Sequence, residues 1–87
     1  MTKSERAALA RIRELVDAGL VRFTEHALEE MLDELATTDE VLDSIRGADA
    51  CELQVNGRYR VECDGLELVV IAEVFGDALI VTVFGRT

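Results

Sequence analysis

The sequence contains no proline, a single histidine, two cysteines and half as many cations as anions. Each shortage excludes something. Without proline, and with no repeat or low-complexity stretch, nothing marks a linker, so the 87 residues are expected to form one small domain, 1–87. Cys51 and Cys63 form no Cys-x-x-Cys pair and have only His26 for company, which leaves neither a disulfide framework nor a metal-ligand set. No metal and no cofactor are therefore expected. No run approaches the ~20 apolar residues of a bilayer span. Met1-Thr2-Lys3-Ser4-Glu5-Arg6 opens on mixed charge rather than on an apolar signal segment. The expectation is a cytoplasmic protein with no membrane partner. A hydrophobic share of 49% excludes a disordered chain.

The deficit of cations gives a net charge of −9, and its placement matters more than its sum. Between positions 25 and 43 stand Glu25, Glu29, Glu30, Asp33, Glu34, Asp39, Glu40 and Asp43 with no Lys or Arg among them. Such a face keeps a protein dispersed in water and can also dock a basic partner. It disfavours RNA, since a polyanion gains no counterion release there.

Leu9, Ile12, Leu15 and Val16 recur at helical spacing and Gly19 suits a left-handed stop, which predicts a helix over residues 3–18. After a short extended bridge, Val21 to Phe23, Thr24 can cap a helix over 24–36 carrying Ala27, Leu28, Met31, Leu32 and Leu35. Thr37-Thr38-Asp39-Glu40 reads as a capping box opening a helix over 38–46.

From residue 50 to 85, three turn signals, Asn56-Gly57, Asp64-Gly65 and Gly76-Asp77, divide the chain into four strands. The fold class expected is α+β, with N-terminal helices packed on one face of a four-stranded antiparallel meander. A three-residue loop Val55-Asn56-Gly57 opposes Leu53 to Tyr59 and Glu52 to Arg60. A two-residue turn at Asp64-Gly65 opposes Cys63 to Leu66, Val61 to Leu68 and Tyr59 to Val70. Across Gly76-Asp77, Val74 faces Leu79 and Ala72 faces Val81. Alternation then sends Val69, Ile71, Phe75, Ile80 and Phe84 to the outer face with Arg58, Arg60, Glu62, Glu73 and Thr82. Apolar residues on both sides of the last two strands imply a homodimer or a protein partner over Val69, Ile71, Ile80 and Phe84.

Several motifs occur together: Phe23-Thr24-Glu25-His26-Ala27 with Met31, Thr38-x-Glu40-Val41-Leu42, Asn56-Gly57-Arg58-Tyr59-Arg60-Val61, and the closing Val81-Thr82-Val83-Phe84. Over about residues 20–85 the chain resembles the DUF4258-like family of small bacterial domains, related to the MqsR and RelE toxins. The resemblance implies a two-layer α+β domain, a place in a toxin–antitoxin type pair with an antitoxin-like partner, and endoribonuclease chemistry without metal. In that chemistry a base activates the 2′-hydroxyl, an acid protonates the leaving oxygen, and cations stabilise the phosphorane. The residues it implicates as catalytic are His26, Arg58 and Arg60, with Tyr59 or Arg86 assisting. From the residues alone, His26 at a helix start better suits helix–sheet packing or capping of a backbone carbonyl, Arg58 and Arg60 equally suit cross-strand pairs, and Tyr59 belongs by period to the core side. The alternative function is a non-catalytic dimeric protein-binding module with an acidic docking helix.

Overall fold

The computed structural model describes residues 1–85. Its elements run α1 (Lys3–Asp17), β1 (Val21–Phe23), α2 (Glu25–Asp33), α3 (Thr38–Arg46), β2 (Cys51–Leu53), β3 (Tyr59–Val61), β4 (Leu68–Phe75) and β5 (Ala78–Gly85). The class is α+β: three helices and one five-stranded sheet in the order β1-β5-β4-β3-β2.

Local chemistry sets the helix ends. Thr2 and Glu5 cap α1 reciprocally, and Thr37 with Glu40 does the same for α3. Thr24 Oγ1 accepts the Ala27 N–H, opening α2. Helix α2 stops at Asp33, short of the expected residue 36, because Leu35 turns left-handed at φ 55. Its N–H donates to the Leu32 carbonyl and the next N–H, of Ala36, to Met31, the pairing that closes a helix end. The chain is thereby turned in time for Thr37 to cap α3.

Strands β2 to β5 form the expected antiparallel succession, but the sheet is mixed and has a fifth member. Val21–Phe23, expected as a bridge, is β1, parallel to β5 with Val21 opposite Leu79 and Phe23 opposite Val81. The Leu79 N–H donates to the Leu20 carbonyl and the Thr24 N–H to Val81, so Val21 and Phe23 turn inward onto the core. No hairpin turn announces this strand, because its partner β5 comes far later in the chain.

The β2–β3 register is the expected one, Cys51 opposite Val61 and Leu53 opposite Tyr59, with Gly57 at φ 82 in the three-residue loop. The β3–β4 register departs from expectation by two residues: Tyr59 faces Ala72 and Val61 faces Val70. A slip of two keeps every side chain on its face, so the hydrophobic pattern cannot choose between the registers. The slip widens the connection around Asp64-Gly65, with Cys63 still buried and Leu66 against the core.

All three helices bury residues into a single core against the inner sheet face, led by Ile12, Leu15, Ile45, Leu68, Leu79, Val81 and Val83. Arg13 crosses from α1 to the end of α3, where its Nη2 donates to the Ala48 carbonyl. The edge of β2 is sealed by α1: the Cys51 N–H donates to Met1 Sδ at 3.3 Å and the Leu53 N–H to Glu5 Oε2 at 2.8 Å. The amide of Thr2, and then that of Leu53, hold the Glu5 carboxyl below the ordinary carboxylate range. Burial, and next the Glu5 charge, push the Cys51 thiol up, and its S–H donates to the Glu5 carbonyl. A thiol so held is a small hydrophobe rather than a nucleophile. Among the described residues no helix is long and apolar enough to cross a membrane.

Candidate functional site

With the helices on the inner side, the outer face of the sheet carries the remaining chemistry. Register fixes its rows. Arg22, Ile80 and Glu73 lie side by side across β1, β5 and β4, and Arg58 just before β3 continues that row. The next row holds Thr82, Ile71, Arg60 and Glu52, and the third Phe84 and Val69.

Thr24 ties the start of α2 to this face. Its hydroxyl donates to Thr82 Oγ1 at 3.0 Å while accepting the Ala27 N–H, so it serves as cap and clamp at once. One residue into the first turn past Glu25, His26 is set over β5, its ring 5.2 Å from that of Phe84 and tilted by 49°. One turn later Glu30 Oε1 stands 3.9 Å from His26 Nε2. Across the face, Arg58 Nε is 3.8 Å from Glu73 Oε2.

These side chains enclose a concavity of about 340 Å³ with a floor of Ile71, Ile80 and Phe84 and a rim of Thr24, Thr82, His26, Arg58 and Glu73. An apolar floor with a few convergent polar groups is the usual construction of a binding site. Of the sequence-derived candidates, His26 and Arg58 meet here. Arg60 does not line the concavity and, among the described residues, makes no ion pair. Tyr59 packs against the core from the other face, and Arg86 lies outside the described residues.

Of the four apolar outer-face residues expected at an interface, Ile71, Ile80 and Phe84 form the floor and Val69 stands in the row beside Phe84. Ile71 is only 6% exposed, walled in by its neighbours, whereas Phe84 is 45% exposed. Thr24, Thr82 and Glu73 were not anticipated as site residues. Alternation did place Glu73 and Thr82 on this face, but Thr24 looked like a cap alone.

The Arg58–Glu73 ion pair is long and partly exposed, and the His26–Glu30 approach is no closer, so each contact is worth little on its own. The guanidinium and the imidazole thus stay able to turn toward an incoming group. Compared with known protein families and with curated proteins, the chain matches none.

Proposed function

We propose that this chain is a toxin-like protein of a bacterial toxin–antitoxin type pair, a degenerate endoribonuclease that works through the outer face of its sheet. The observation that supports this reading is the convergence of His26 and Arg58 on one concavity from distant parts of the chain. An imidazole to move protons and a guanidinium to hold a phosphate are the minimum for cleaving RNA without metal. Phe84, open beside His26, offers a surface on which a base can stack.

The chemistry is weak for a reason that is also structural. Glu73 beside Arg58 and Glu30 beside His26 offset the charge that a phosphorane dianion needs, and Arg60 stands outside the concavity. A net charge of −9 further repels RNA. Expression in a bacterial host is expected to slow growth, and purified protein to cut single-stranded RNA slowly in chelator. His26→Ala and Arg58→Ala should each abolish both effects while the protein still melts cooperatively. Growth arrest and cleavage undiminished in both variants would sink this reading.

A second reading, a non-catalytic dimeric module, is favoured by one observation: Phe75 and Phe84 are 73% and 45% exposed on the same face.

A further inference from the structure

Helix α2 buries Ala27 and Met31 and turns one flank, His26 and Glu30, to the outer-face concavity and its edge. Its other flank carries Leu28 and Leu32, 48% and 74% exposed, and the stripe ends on Leu35, 84% exposed just past the helix. The spacing of four aligns Leu28 and Leu32 on one side of the helix, and Leu35, in the turn beyond it, lines the neighbouring cleft. Among the described residues, nothing covers their outer sides.

Leu35 is the most unusual of the three. At φ 55 it holds the left-handed backbone that glycine adopts without strain, and it also presents its side chain to water. Beside it, a cleft of about 150 Å³ opens between the α2–α3 turn and the β3–β4 connection, with Glu34, Glu40 and Glu67 in its wall. Among the described residues none of these carboxylates is ion-paired, and no group of acids is placed to hold a metal. Glu40 Oε1 already accepts from Thr37, which leaves Glu34 and Glu67 as the carboxylates in this wall without a hydrogen-bond partner among the described residues.

We propose that the leucine stripe and the acidic cleft dock a basic amphipathic helix of a partner protein. Its apolar side chains cover Leu28, Leu32 and Leu35, and one of its lysines or arginines enters the cleft between Glu34, Glu40 and Glu67. Charge selects this occupant over the others. A second copy would lay the cation-free stretch 25–43 against itself, and an anionic bilayer would meet the same repulsion. An apolar stripe set in acids instead matches a helix that lays leucines into a groove between flanking lysines. The surface lies on the flank away from His26 and does not depend on how the outer face works.

The test uses the whole protein and two dye-labelled helical peptides of about 18 residues, long enough to hold helical structure. Each has leucines at i, i+4 and i+7, one flanked by lysines and the other by glutamates. Anisotropy should show binding of the lysine peptide alone, weakening as salt screens the contact. The double variant Leu32→Ser/Leu35→Asn leaves the net charge unchanged, and Asn accepts the left-handed backbone. It should bind at least about tenfold more weakly. Leu28→Ser, within the helix, should shift affinity the same way. Glu34→Gln/Glu67→Gln should flatten the salt dependence, and His26→Ala, though expected to end RNA cleavage, should leave the peptide affinity unchanged. Equal binding by the leucine variants and the wild type would reduce the effect to bulk charge and overturn the proposal. So would indifference of the wild type to the lysine peptide, or capture of the protein by phosphatidylglycerol vesicles through these leucines.

Discussion

Leu35 shows how one residue can carry two opposed demands. The turn that ends α2 needs a positive φ, and the leucine there costs backbone energy that glycine would avoid. Leu35→Gly should therefore raise stability by about 0.5–1 kcal/mol, the relief of strain exceeding the entropy that glycine adds to the unfolded chain. For a domain of this size that is a rise of a few degrees in melting temperature, measurable by calorimetry. A fall would show that the leucine side chain packs in the free protein. Thr24 is the second such residue. As an N-cap it was legible from its place before Ala27, but its donation to Thr82, which fastens the helix start over the sheet, joins residues 58 positions apart and leaves no local trace.

At the scale of elements, the ties between α1 and β2 are sensitive to pH. The carboxylate of Glu5 accepts from Thr2 and Leu53, which lowers its pKa below that of the unfolded chain. A lowered carboxyl contributes stability that is present above the unfolded value and is lost as pH falls through the folded one. Acid should thus loosen the β2 edge first. Melts between neutral and acid pH should show Glu5→Gln less stable than wild type near neutrality, with the gap closing as pH falls through the carboxylate range. A constant gap would mean that the charge on Glu5 does not matter. Caps, turns and alternation were readable because each is written within a few residues: both the Thr37–Glu40 box and the three-residue loop at Gly57 stand as expected. The β3–β4 register was not, since a shift of two preserves faces, and β1 was not, since its partner comes some 58 residues later. The site was half legible. Period two put Arg58 and Arg60 on the correct face, but only the rows of the folded sheet separate Arg58, on the rim, from Arg60, outside it.

For the whole molecule, the question is what the outer face does with Phe75 and Phe84. Phe84 beside the concavity and Phe75 at the β4–β5 turn, both exposed on this face, favour association, and the floor residue Ile71 is too well buried to probe it without harming the fold. Phe84→Lys is the better probe. If the face pairs two copies, sedimentation at micromolar concentration should find wild type heavier than a monomer and Phe84→Lys monomeric with its fold intact. A wild type that sediments as a monomer would remove the dimeric reading and leave the concavity open to small or single-stranded ligands.

The sealing of the β2 edge bears on a different matter, the growth of the sheet beyond one molecule. The outward amides of Cys51 and Leu53 are already taken by Met1 and Glu5, so a neighbouring strand finds no donors there. Edge-to-edge addition is left with β1, where the backbone amides of Val21 and Phe23 point away from β5 by the alternation of a parallel ladder. A fibre needs two complementary ends, and a subunit with a single open edge can close only into a pair. Glu5 and Met1 act in effect as a chain terminator for polymerisation, and acid, by weakening the hold of Glu5, is the condition that would lift it.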